Sequence, residues 1–197
     1  MSTVGILGAN GRMGRALVSV AKEHQLPMTA ATVRAGSALI GMDSGELAGC
    51  GKLNLAFTET SLAAFALADI WIDFTMPEAM LEHLELAVQA KKALVIGVTG
   101  LTDSQYAAVQ QAAKHIPIVW APNMSVGVNL LLHLVETAAK VMGQTADIEI
   151  IEAHHRFKKD SPSGTAMAIG HQIAKALDRN LADVAVYGRE GITGERD

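Results

Sequence analysis

The chain has 197 residues, half of them hydrophobic and 18% charged, enough to bury a substantial core and too apolar for a disordered polymer. A net charge of −4 with scattered basic residues leaves no electrostatic footprint for nucleic acid or a membrane surface. One cysteine, Cys50, excludes an intrachain disulfide framework, and with no leader-like or membrane-length apolar stretch the chain is expected to be cytoplasmic and metal-free.

Short β-branched runs alternate with Ala-rich amphipathic stretches through the first half. A strand is expected at residues 4–7, a helix at 14–24 ending before Pro27, and a strand at 28–33. Residues 36–51 read as a Gly-rich connection. A strand at 70–74 stops before Pro77 and leads to a helix at 78–90. A strand at 93–98 follows, then a helix capped by Thr102 or Asp103 and running to His115, then a strand at 116–120 closed by Pro122. This order predicts right-handed βαβ units in a Rossmann-like, doubly wound parallel sheet over residues 1–126, a dinucleotide-binding domain.

The rhythm then changes. Residues 126–142 read as a longer amphipathic helix with Leu130, Leu134, Ala138 and Val141 near one face. Residues 147–153 alternate as a strand with two unlike faces, and Pro162 to Thr165 open a helix carrying Ile169, Ile173, Ala176 and Leu177 at helical spacing. The tail 187–197 is Gly-rich and polar and is expected to end without an element to close on. Residues 127–197 are expected to be a smaller α+β domain for substrate binding and catalysis.

The turn Gly8-Ala9-Asn10-Gly11-Arg12-Met13-Gly14 joins the first strand to the first helix, where a dinucleotide pyrophosphate meets backbone N–H groups. Its spacing is GxxGxxG rather than GxGxxG, and a structural tight turn is the alternative. Asn10 stands at the second glycine and is suited to a left-handed backbone. Where sites for NAD place an acid on the ribose, the second strand ends in Val33-Arg34, and Arg34 is suited to a 2′-phosphate, or else is a solvated surface arginine. NADPH is thus expected in preference to NADH. Arg12 either joins that patch or packs its stem over the turn. Gly97, Val98 and Thr99, and Ala121, Pro122, Asn123 and Met124, follow strands at the carboxyl edge of the sheet, on the side expected for the nicotinamide.

From Glu152 to Thr165 ionisable residues crowd between two apolar segments. His154 and His155 offer a proton donor and a substrate contact, and Lys158 with Arg156 and Lys159 would attract an anion. Ser163, Gly164 and Thr165 supply N–H donors, a hydroxyl and a helix N-terminus for a carboxylate. The bland alternative is a solvated loop with a Ser/Thr cap. His24, His83, His115, His133 and His171 read as structural or surface residues.

The run Glu-Ala-His-His-Arg-x-Lys-x-Asp-x-Pro-Ser-Gly-Thr-Ala, beginning at Glu152, resembles the signature of the 4-hydroxy-tetrahydrodipicolinate reductase family. Gly8 to Gly14, Ile72-Asp73-Phe74-Thr75 with Pro77-Glu78, the stretch Val95 to Gly100, Asn123 to Asn129, and the tail motif from Arg189 to Arg196 are similar to that family too, so the likeness spans the chain. It implies an NAD(P)H-dependent oxidoreductase of lysine biosynthesis through diaminopimelate, acting on a cyclic hydroxylated dicarboxylate with loss of water.

By that resemblance His154 is the proton donor or acceptor and Lys158 the second acid. His155, Ser163, Gly164 and Thr165 hold the substrate carboxylates, and the three strand-end loops line the cofactor. A homotetramer is implied as well. Two departures stand out: Val33 occupies a position where many relatives carry an acid, and the chain stops at Asp197 where the family continues, so either a C-terminally truncated form or an assembly that covers the surface left open is expected. The competing readings are a non-catalytic NADP(H)-binding module and another two-domain oxidoreductase acting on a sugar or semialdehyde.

Overall fold

A computed structural model describes residues 1–154, 156, 158 and 160–192. It has two compact units, Met1–Pro122 and Asn123–Asp197, with the division four residues before the one expected at 126.

In the first unit β1 (Val4–Leu7), β2 (Met28–Val33), β3 (Phe57–Glu59), β4 (Ile70–Asp73), β5 (Ala93–Ile96) and β6 (Ile118–Trp120) form one parallel sheet in the order β3-β2-β1-β4-β5-β6. Between them run α1 (Arg12–Glu23), α2 (Ser44–Ala48), α3 (Leu62–Phe65), α4 (Pro77–Ala90) and α5 (Asp103–Ala112). This is the expected Rossmann-like architecture. Strand order reverses between β1 and β4, whose ends are in register at Leu7 and Asp73. Ligands of open α/β sheets bind at such a reversal.

β1 and the last four residues of β2 are buried on both faces, which is why they read as apolar runs. By contrast, β4 and β5 alternate half-buried with buried residues, and Val119 on β6 is 59% exposed. Successive β1 residues point to opposite sides. Ile6 joins a cluster with Val18, Val33 and Phe57, whereas Leu7 joins one with Trp71, Met80 and Leu94. Trp71 is fully buried, stacks on Phe65 at 4.5 Å and donates its indole N–H to the Phe65 carbonyl. Gly5 makes room for it: a Cβ there would lie 2.7 Å from the indole.

The connection over 36–51 is more ordered than its glycines suggest. Asp43 caps α2 by accepting from the N–H groups of Gly45 and Glu46, and it also gathers those of Leu53 and Leu55. Burial works against the charged form of Asp43, but these four donors outweigh it and hold the carboxyl below its usual range. Cys50, partly buried, packs at the edge of the second cluster.

In the second unit α6 (Val126–Met142) packs against α7 (Gly164–Ala176), and α8 (Leu181–Val184) follows. The α6–α7 contact uses small residues, with Ala139, Gly170 and Ala174 buried, and Gly143 lies against Leu177. Glu136 on α6 accepts from the Gln172 amide on α7 at 2.7 Å.

Three expectations fail here. Leu130, Leu134 and Val141 are 56%, 55% and 80% exposed, so the stripe read on α6 is not its packed face. Residues 147–153 form no strand: no described segment supplies a ladder, and Ile151 is 91% exposed. The tail does contain an element, since β7 (Asp160–Ser161) pairs antiparallel with β8 (Gly191–Ile192).

Candidate active site

The turn after β1 owes its shape to two glycines. Gly8 has φ +57°, and a Cβ on it would lie 2.6 Å from the Thr75 methyl. Gly14 is buried in α1 where a Cβ would lie 2.6 Å from the Ala9 Cα, so helix and turn meet backbone to backbone. The left-handed residue is Gly8 and not Asn10, whose φ is not positive, because the reversal occurs two residues earlier, where Gly11 N–H donates to the Gly8 carbonyl at 2.9 Å. Ala9 is buried and its N–H donates to the Thr32 carbonyl, whereas Asn10, Gly11, Arg12 and Met13 are exposed.

Helix capping separates this corner from the rest. Among the described residues, α2, α3, α5, α6, α7 and α8 each have an N-cap side chain accepting a first-turn N–H: Asp43, Ser61, Thr102, Ser125, Ser163 and Asn180. Neither α1 nor α4 has one. These two helices follow β1 and β4, the strands flanking the reversal. The first-turn donors of α1 suit a pyrophosphate, and the cradle from Gly8 to Gly14 fits a dinucleotide.

The remaining cofactor candidates differ in how they present themselves. Arg34 is exposed just beyond β2, and exposed Glu59 lies in register with Val33 on β3. Val98 is 2% exposed and packs in the core, with its carbonyl accepting from the Trp120 indole, while Gly97 is half-buried and Thr99 exposed. Ala121 and Pro122 end the first unit. Asn123 and Met124 belong to the second, where Asn123 accepts from Ser125 N–H and, through its carbonyl, from the Asn129 amide.

In the second unit an open cleft of about 940 Å³ is lined by Glu152, His154, Lys158, Ser161 and Pro162 together with one side of α7. Glu152 organises its polar end. One carboxylate oxygen accepts from Ser163 N–H at 2.8 Å, and the other accepts from the Ser163 hydroxyl and lies 2.9 Å from His154 Nε2. Burial pushes the Glu152 carboxyl up, but the two Ser163 donors and then His154 outweigh it and hold it down at about 2. A carboxylate can only accept, so His154 donates from Nε2 to Glu152.

Ser163 is 5% exposed and caps α7 by accepting from Ala166 N–H. Both its donors go to Glu152, and the N–H groups of Gly164 and Thr165 follow at the opening of the helix. His155 lies outside the described residues. Two features went unread in the sequence: the Glu152–Ser163 link, whose hint is an acid eleven residues before a helix cap, and a buried Asp73–His83 pair, taken up below.

A folded-state pKa below the ordinary value of 4.5 adds stability that is complete above 4.5 and disappears as pH falls through that value toward about 2. We expect hydrogen-exchange protection at the start of α7 to fall in that window in the parent protein. In Glu152→Gln the step should be absent; an unchanged step would remove Glu152 as its origin.

The family profile described as "Dihydrodipicolinate reductase, N-terminus" matches residues 2–124, and the one described as "Dihydrodipicolinate reductase, C-terminus" matches residues 127–197. The 4-hydroxy-tetrahydrodipicolinate reductase of Pseudoalteromonas atlantica is 58% identical over 100% of this chain and 74% of its own length. That of Acinetobacter baumannii is 53% identical over 98% of this chain and 71% of its own. Among solved structures, the dipicolinate-bound dihydrodipicolinate reductase from Paenisporosarcina sp. superposes with a TM-score of 0.66 at 30% identity, covering 89% of this chain and 66% of that one.

Proposed function

The chain belongs to the dihydrodipicolinate reductase family, and from that premise we propose that it reduces 4-hydroxy-tetrahydrodipicolinate to tetrahydrodipicolinate in the diaminopimelate route to lysine. One hydride equivalent and one proton enter the substrate and one water leaves. The nicotinamide, when bound, supplies the hydride equivalent. Gly8 to Met13 and the α1 N-terminus would hold the pyrophosphate, Arg34 the 2′-phosphate, and Gly97 to Thr99 with Ala121 to Met124 the nicotinamide side.

The observation that carries this reading is the cleft in which His154, oriented by Glu152, and Lys158 stand at the approach to α7. His154 is the proton donor or acceptor, and Lys158 supplies the second acid as charge builds on the ring. Gly164 and Thr165 N–H, with His155, receive the substrate carboxylates. The resemblance that names these residues also carries a homotetramer and a cytoplasmic location. Among the described residues no helix is long and apolar enough to cross a membrane.

The direct test is NADPH oxidation by the purified chain with freshly prepared substrate. Turnover supports the reading; cofactor binding without turnover at high enzyme concentration would favour a non-catalytic NADP(H)-binding module. The cofactor preference is tested separately. Arg34→Ala is expected to raise KM for NADPH by about three- to tenfold, the loss of one charge-assisted contact, with little change for NADH. Equal effects on both cofactors would remove the 2′-phosphate role.

A further inference from the structure

Asp73 ends β4 at the strand reversal with its side chain fully buried, and it satisfies three donors at once. One oxygen accepts from Thr75 N–H at 2.8 Å and from the Thr75 hydroxyl at 2.6 Å, and the other lies 2.7 Å from Nδ1 of His83 on α4. His83 is itself 6% exposed. A buried pair of this kind is costly unless every group is paired, and here it spans a strand, a turn and a helix. The reaction described above uses neither residue.

What the pair holds is the turn 74–75, which touches both cofactor loops of the first unit. The Thr75 methyl covers Gly8, where a Cβ would come within 2.6 Å of it. The Phe74 ring covers Gly97, where a Cβ would come within 2.5 Å of Cδ1. The Asp73 carbonyl also accepts from Gly97 N–H at 2.8 Å. Residues on either side of this turn therefore brace the loop after β1 and the loop after β5 against one another.

We propose that Asp73 and His83 are positioning residues: their buried hydrogen bond locks the 74–75 turn and thereby sets the spacing of the Gly8 and Gly97 loops for the cofactor, an inference that rests on the dinucleotide reading of those loops. His83 donates from Nδ1, a position that an asparagine amide can take and a glutamine amide overshoots. A bond-holding role and a space-filling role therefore predict opposite orders for the two amides. Asparagine keeps the donor and leaves a gap, whereas glutamine fills the space and loses the donor. Thr75→Val keeps the methyl over Gly8 and drops the hydroxyl bond to Asp73.

The test is NADPH binding by calorimetry, at a temperature below each variant's melting transition, for the parent, H83N, H83Q, T75V and the H83Q/T75V double variant. Expected are a Kd raised about fivefold in H83Q and in T75V, the worth of one hydrogen bond, a value within about twofold of the parent in H83N, and no further loss in the double variant. Parent-like binding by both H83Q and T75V, a weaker H83N than H83Q, or additive losses in the double variant would each overturn the proposal while leaving the cofactor reading intact. If H83Q does not fold, T75V decides alone, a raised Kd supporting the positioning role and a parent-like Kd overturning it. A parent that binds neither NADPH nor NADH overturns the cofactor reading, and this proposal with it.

Discussion

Replacing His154 with Asn is expected to lower kcat by about two to four orders of magnitude, the usual cost of losing an acid–base group, with cofactor affinity unchanged. The geometry says why the loss should be of this kind. Glu152 is a carboxylate that accepts from Ser163 and lies 2.9 Å from His154 Nε2, so the imidazole is held in a fixed orientation beside the cleft. Asparagine carries no titratable nitrogen, so the acid–base function is lost without adding bulk. The cofactor loops of the first unit contain neither residue, which is why NADPH affinity serves as the internal control. Glu152→Gln should lower kcat by less than H154N, because the imidazole stays while its orientation loosens. Single-turnover measurement of NADPH absorbance with fresh substrate checks both. A loss below about threefold in H154N would remove His154 as the acid–base group.

The second large effect is expected at Gly14. Gly14→Ala places a Cβ 2.6 Å from the Ala9 Cα and 2.7 Å from its carbonyl carbon. Both are backbone atoms of the turn itself, with no side-chain rotamer to relieve the overlap. Either α1 moves away from the turn or the turn opens, and both displace the first-turn donors that would face a pyrophosphate. A stability loss of about 1–3 kcal/mol is expected from the overpacking. NADPH binding should weaken about tenfold or more, about 1.4 kcal/mol or more. Gly11→Ala provides the graded comparison for stability: its Cβ would lie 3.2 Å from the Gly8 carbonyl oxygen, so the melting temperature should fall less. Thermal denaturation and calorimetric titration measure the two effects, and equal melting losses for G11A and G14A would reject the backbone-contact argument.

Much of the first unit was legible because its signals are local. The β1, β2, β4 and β5 runs are apolar, separated by stretches of helical period, and punctuated by Pro27, Pro77 and Pro122. The elements that escaped are short: β3 has three residues, α3 four and α2 five, each below the length at which a period can be counted. Their caps offered some signal, since Asp43 is followed by Glu46 in a capping-box pattern and Ser61 precedes an apolar turn. The strand read at 147–153 failed for the opposite reason. Alternation says which side chains share a face, but a strand exists only where a neighbour completes its hydrogen bonds, and none is present among the described residues.

Within the site the division is similar. The sequence by itself determined that a glycine turn follows the first strand of a βαβ series and that His154, Lys158, Gly164 and Thr165 lie in one short run, because these are facts of adjacency and backbone freedom. Only the tertiary structure decided that Ser163 spends both donors on Glu152, that His83 is buried against Asp73 rather than lying at the surface, and that the α6 stripe is exposed. Those outcomes depend on which distant segments meet. A donor's partner and a side chain's burial are set by packing, and a local pattern cannot name the segment that packs against it.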